Sequence, residues 1–240
     1  MILEQVEAVR PARRARGFFL AMALVMAVVV FAGFAQTYPA SITSSPPLPL
    51  LLHLHGALFA SWVLLFVVQP ALVFRGSMRL HRTLGWAGAA LAAAMVVMGV
   101  WAVRIALLAH IGLTFLPKPI FVIGNLMTLF VFAGLVAAGV ANRRAPDWHR
   151  RLMLCATVAL LSQALGRLLP MDSFGDAAPL VLFAVVDLFA LAGPVADLIS
   201  RRRVHPAYYW GVGAILLMEA AIPPLAFSPL APVVIRLLST

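Results

Sequence analysis

The chain has 240 residues, of which 63% are hydrophobic and only 11% charged, against roughly 45–50% and about 25% in ordinary globular domains. A water-soluble protein of this size has too little interior for that much apolar surface, so lipid is the expected solvent for most of it. The net charge of +10 comes from short arginine clusters between apolar runs, the pattern of membrane-flanking charge and not of a continuous phosphate-binding face, so no nucleic-acid partner is expected.

Seven apolar stretches fall near 17–37, 49–74, 83–107, 119–141, 149–169, 179–200 and 206–227. Each is long enough, at about 1.5 Å per residue, to cross a hydrocarbon core of roughly 30 Å. Arg10, Arg13, Arg14 and Arg16 precede the first stretch, but its apolar run over 17–35 exceeds a signal-peptide core, so an uncleaved span is expected. Prolines punctuate the connections: Pro46, Pro47 and Pro49, then Pro117 and Pro119, then the segment 170–179, then His205-Pro206. They mark helix starts, where a missing amide donor does no harm. Pro223-Pro224 is expected to break the last span beside Glu219, and Gln69-Pro70 to kink the second. The expected fold is all-α, a single seven-helix membrane domain over 1–240. Its one cysteine, Cys155, excludes an internal disulfide, a CxxC redox pair and a thiolate zinc knuckle.

Charge sets the expected orientation. Arg10 to Arg16, then Arg75, Arg79 and Arg82, then Arg143, Arg144, Arg150 and Arg151, then Arg201, Arg202 and Arg203 occupy every alternate connection. The positive-inside rule places these in the cytoplasm, with the N-terminus inside, the C-terminus outside and a bacterial inner membrane as the location. Trp86, Trp148, Tyr208, Tyr209 and Trp210 fall at headgroup depth near the same ends. On the third span Gly85, Gly88, Ala92 and Gly99 follow the azimuth of His81, a small-residue stripe that admits another backbone. Such stripes serve a homo-oligomer or a membrane protein partner as readily as internal packing.

Two helix starts echo one another. Leu80-His81-Arg82-Thr83-Leu84-Gly85 opens the third span and Trp148-His149-Arg150-Arg151-Leu152-Met153 the fifth. The HR-x-LG and HRR-x-M motifs, with Arg167 downstream, resemble an uncharacterised bacterial multi-pass membrane family over roughly 75–170, a resemblance that implies architecture more than activity. There is a looser likeness to membrane b-type cytochromes, in which histidines on neighbouring helices hold haem.

Ionisable groups inside a bilayer are costly and face the bundle interior, so they are the best functional pointers. An inner layer holds His81, His149 and His205 near their helix starts, with Gln69 close by. Two of these imidazoles are a candidate ligand pair for haem b, with Arg82, Arg150 and Arg151 as contacts for propionates or lipid phosphates. The plainer alternative is that His-Arg pairs hydrogen-bond lipid headgroups. An outer layer holds His53, His55, Arg167, Asp187 and Glu219. Asp187 lies fourteen residues from Arg201, and Glu219 fourteen from His205, which sets both roughly 21 Å in from the arginine-rich boundary. Arg167, with Gln163 near its azimuth, is expected to pair with Asp187, Glu219 or both, completing an intramembrane polar cluster.

No phosphate-cradling Gly-rich loop, HxxxH pair or activated serine is visible. Three function classes remain: a haem-binding electron-transfer module; a non-catalytic membrane subunit or assembly factor, which asks least of the residues; and a small-solute or proton carrier built on Asp187, Glu219 and Arg167.

Overall fold

The computed structural model describes residues 2–43, 47–111 and 115–240; the side chains of 2–16 and of residue 41 lie outside the described set. The expectations for Arg10, Arg13, Arg14, Arg16 and Pro46 therefore fall outside the described residues. What is described is all-helical, without strands. Nine α-helices follow in chain order: α1 (Ile2–Ile42), α2 (Leu50–Phe74), α3 (Met78–Ala109), α4 (Lys118–Ala141), α5 (Pro146–Ala159), α6 (Ser162–Leu168), α7 (Ala178–Arg201), α8 (Pro206–Ala226) and α9 (Leu230–Ser239). A 3₁₀ segment, Met171–Ala177, precedes α7.

Six helices are long and apolar enough to cross a membrane, and α5 with α6 forms a seventh if the bent pair is one span. Their lipid character shows in what they leave outside. Ile199 is 81% exposed, Phe130 76% and Leu217 72%, large apolar side chains that a soluble fold would cover. Prolines open helices as expected: Pro49 and Pro117 cap α2 and α4, while Pro146, Pro179 and Pro206 sit in the first turns of α5, α7 and α8.

The central post is α5. It packs against α1, α4, α7 and α8, and buries Leu152 and every residue from Leu154 to Ala159. Around it α1 runs along α2 and α6, α3 bridges α2 and α4, and α8 closes against α4 and α7. Close approach rests on glycines. A Cβ on Gly33 would stand 2.4 Å from the Ala164 carbonyl oxygen, one on Gly193 2.5 Å from the Tyr208 ring, and one on Gly211 2.6 Å from Cys155 Sγ. The stripe on α3 works differently from expectation. Gly88 receives the Leu65 side chain and Gly99 that of Leu129, so leucine knobs fill it and not a second backbone.

Two further expectations are corrected. The fifth span is not continuous: α5 and α6 meet at 45°, with Leu160 N bonded to Thr157 O (3.2 Å) and Leu161 N to Val158 O (2.9 Å). These tighter i+3 bonds end α5 without any proline or glycine at the break. Conversely, Pro223 and Pro224 do not break α8, which continues to Ala226. They occupy its last turn, where they leave the carbonyls of Glu219 and Ala220 without i+4 amide donors. Pro70 lies inside α2.

Candidate functional site

Two polar clusters occupy the bundle. The first lies at the arginine-rich end, where the α2–α3, α4–α5 and α7–α8 connections meet. Pro146 starts α5 so that Asp147, Arg150 and Arg151 fall on one face at i, i+3 and i+4. Arg151 is 1% exposed and Asp197, on α7, 6%. They form a bidentate pair, Nε to Oδ2 at 2.9 Å and an NH2 nitrogen to Oδ1 at 2.6 Å. The other Arg151 terminal nitrogen donates to Asp147 O (2.8 Å) and Oδ1 (2.9 Å). Asp147 also pairs with Arg150 and with Arg201, the latter at 2.9 Å. Asp197 Oδ2 accepts the His205 backbone amide at 3.1 Å, tying α7 to the start of α8. Aromatic faces complete the lining: Arg150 lies over Phe19 at 5.0 Å and Arg151 over Tyr208 at 5.5 Å.

This occupancy corrects the role expected of Arg151. Arg151 is buried and bonded to two carboxylates, so it is not available to a haem propionate or a lipid phosphate, and Arg150 is paired with Asp147. Arg82 is exposed. Asp197 carries no weight in the sequence reading, although it stands four residues before Arg201.

The three histidines part company. His81 and His149 meet, with ring centroids 6.2 Å apart and planes at 82°. His149 Nδ1 lies 2.8 Å from the Gly139 carbonyl oxygen and donates to it. The Gln69 amide, oriented so that both its atoms are satisfied, donates to His81 Nδ1 (2.6 Å) and His81 O (3.2 Å) and accepts from Gly85 N (3.1 Å). His205 instead stacks edge-on against Trp148 at 5.4 Å and caps α8, its Nδ1 accepting from Ala207 N at 3.2 Å. Burial, and then the nearby Arg151, hold the His205 ring below the usual imidazole range, while Asp147 and Asp197 oppose them.

The second cluster lies deeper, towards the opposite end. The expected set of Arg167, Gln163, Asp187 and Glu219 divides in two. Arg167 does not pair with either acid. Its guanidinium donates to Gln163 O (2.6 Å) and Gln163 Oε1 (3.4 Å), one turn back on α6, and lies 4.6 Å from the Phe34 ring centroid of α1. Gln163 Nε2 in turn donates to Asn125 Oδ1 at 3.0 Å. The local carbonyl and the aromatic face satisfy the cation where the 45° bend has aimed it.

Asp187 and Glu219, on α7 and α8, lie close enough for their charges to interact. Their equal depth, read from spacing alone, is what lets them approach. Glu219 is 7% exposed, and Asp187 Oδ1 is buried without a partner. Among the described residues no arginine or lysine pairs with either carboxyl. Glu219 lines a narrow cavity of about 30 Å³ together with Asn125, Thr128, Ser162 and Gln163, room for about two waters among polar partners. Ala159, Ser162 and Gln163 are the residues that flank the α5–α6 bend, so the break itself forms part of the wall.

The remaining outer histidines are separate. His53 Nδ1 is 2.8 Å from Tyr38 Oη, joining α1 to α2, and His55 stacks on Phe59 at 4.2 Å. His110 closes α3 in the left-handed region, φ 56°. Comparison with protein-family models, with curated proteins and with solved structures finds no match.

Proposed function

We propose that this chain is a multi-pass protein of a bacterial inner membrane, N-terminus in the cytoplasm, that carries protons, or a small polar solute coupled to them, through the cavity beside Glu219. The observation that carries this reading is the buried Glu219 at the wall of a water-sized cavity next to a broken helix, with Asp187 of α7 close by and no cation paired with either among the described residues. Two neighbouring carboxyls in a low-dielectric interior are suited to sharing and releasing a proton. A discontinuous helix beside a cavity that holds a few polar groups in an apolar wall is the arrangement from which carriers build their sites. A subunit whose polar groups serve packing alone needs its charges neutralised, as Arg151 neutralises Asp197. The acid pair has no such counterion.

The arginine-rich connections gathered at one end support the orientation. Reconstitution into liposomes containing a pH-sensitive dye, with an imposed pH gradient and valinomycin to balance charge, tests the activity. Wild-type protein is expected to collapse the gradient, and Glu219→Gln to lose the flux while keeping its unfolding midpoint. Wild-type liposomes no leakier than empty ones refute proton carriage.

A further inference from the structure

We propose that the groove between α2 and α3, at the end opposite the arginine-rich one, binds one phospholipid, an acyl chain lying along the groove and the phosphate on Arg104. The groove measures about 610 Å³ and is lined by Leu51 and Leu58 of α2 and by Ala94, Val97, Met98 and Trp101 of α3. The α3 residues stand at i, i+3, i+4 and i+7, one stripe of that helix. Leu51 and Leu58, seven apart, share one azimuth of α2. Leu58 and Ala94 are each seventeen residues from the turn at 75–77, and Leu51 and Trp101 each twenty-four, so the two stripes lie level. Nearer the turn the hairpin is closed, by the Leu65 side chain against Gly88 and by the Gln69 amide bonded to His81 and Gly85. Further along, α3 gives Gly99 to Leu129 of α4, and the short, exposed Ala94 leaves the α2 side unfilled.

Charge identifies the occupant. Arg104 stands seven residues beyond Val97, hence on the azimuth of the stripe, and one turn beyond Trp101. Its guanidinium lies 5.6 Å from the Trp101 ring centroid, which fixes a cation at the head of the groove. Among the described residues no carboxylate pairs with it. A planar guanidinium without a counterion, at the mouth of an apolar channel, fits a phosphodiester through charge-assisted hydrogen bonds. The channel below it fits a hydrocarbon chain. Seven residues of helix give it a length of roughly 10 Å, against roughly 15 Å for one leaflet of the hydrocarbon core.

A second arginine–tryptophan pair supplies the contrast. Arg143 lies 5.5 Å from the Trp86 ring centroid at the arginine-rich end, but its guanidinium already donates to the Val140 carbonyl at 3.3 Å. No charged side chain lines the groove beneath Arg104. The site therefore reads the phosphate and one chain, and is indifferent to the alcohol esterified beyond the phosphate.

Full-length protein, stripped of lipid in mild detergent, is titrated with dioleoyl phosphatidylglycerol and with dioleoyl phosphatidylcholine and followed by native mass spectrometry. One saturable equivalent of either lipid is expected. Lysophosphatidylglycerol, with a single chain, should compete for it, whereas inorganic phosphate and oleyl alcohol should not. Arg104→Gln must weaken binding ten- to a hundredfold, and Arg143→Gln must retain it. Ala94→Trp fills the groove from an exposed position and must abolish binding with the unfolding midpoint unchanged. Where that variant fails to fold, Arg104→Gln decides, because no described ion pair is lost with it. Many weak equivalents without saturation, or one equivalent indifferent to Arg104→Gln, overturn the proposal. So does a lipid-free dimer whose formation Ala94→Trp blocks, because it assigns the groove to a second copy of the chain.

Discussion

The Arg151–Asp197 pair is expected to be the largest single polar contribution to stability, and Asp197→Ala isolates it. The two side chains are 1% and 6% exposed, and removing one partner of a buried pair costs about 3–5 kcal/mol, because the other charge is left uncompensated. Two local effects adjust this figure. Asp147 still holds Arg151, but its side chain is 47% exposed and shared with Arg150 and Arg201, so it offsets at most about 1 kcal/mol. Against that, the His205 amide loses its acceptor on Asp197, a further cost of about 1 kcal/mol. The two nearly cancel, leaving roughly 3–5 kcal/mol for Asp197→Ala. The double variant Arg151→Met/Asp197→Leu removes both charges and retains bulk, so it should lie within about 2 kcal/mol of wild type. Equilibrium unfolding in mixed micelles of wild type, Arg151→Met, Asp197→Leu and the double variant gives the four corners of the cycle, with Asp197→Ala measured beside them. A single variant within about 1 kcal/mol of wild type, or a double variant no better than the worse single, would refute the reasoning.

Two other outcomes follow from local geometry. Gly33→Ala places a methyl 2.4 Å from the Ala164 carbonyl oxygen, whereas Gly134→Ala meets nothing within 4 Å. The first should cost about 1–3 kcal/mol by prising α1 from α6, and the second should be neutral or stabilising by up to about 1 kcal/mol; thermal unfolding that ranks them equally contradicts the packing. His205 is held below its ordinary imidazole range by burial and by Arg151, and its neutral Nδ1 caps α8. Its contribution is therefore complete above the unfolded value near 6.5 and disappears as pH falls through the lowered folded value. His205→Asn keeps a capping acceptor without a titrating ring, so stability measured from pH 7.5 to 5 should fall less steeply than in wild type.

Helix placement was readable where composition alone decides it. The stretches expected near 49–74, 119–141, 179–200 and 206–227 match α2, α4, α7 and α8 within a residue or two at each end, because an apolar run flanked by proline or arginine has one low-energy solution in lipid. The bend at Leu160–Leu161 left no local mark. Ala159, Leu160, Leu161 and Ser162 are good enough helix formers to continue α5, and the turn is set by tertiary packing that seats Ala164 against Gly33. That bend is why the Arg167 expectation failed: an azimuth counted along a straight helix from His149 no longer holds beyond a 45° break. Asp187 and Glu219 lie on unbroken helices, α7 and α8, where a depth counted along the chain still applies. Asp197 was passed over because it sits among arginines at a boundary, where an acid reads as solvated. Only the fold shows that Arg151 turns inward to it.

The two clusters solve the same electrostatic problem in opposite ways, and the difference locates the chemistry. At the arginine-rich end, Asp147 and Asp197 are met by Arg150, Arg151 and Arg201, so each carboxylate has a fixed cationic partner. Deeper in, a cation is present within the same layer, yet Arg167 turns to Gln163 and Phe34 and leaves Asp187 and Glu219 to each other. On the proposed reading, neutrality there comes from a mobile species, and beside a cavity with room for about two waters the smallest such species is a proton. A site whose charge balance depends on something that can leave is suited to transport, whereas one balanced by fixed guanidinium groups is suited to holding helices in register. Exchanging the two designs tests this division directly. Asp187→Asn should abolish proton flux with little loss of stability, whereas Asp197→Asn should weaken the bundle and leave flux per folded molecule unchanged. If the dye-loaded liposomes show the reverse, the proton-bearing site has been assigned to the wrong end of the bundle.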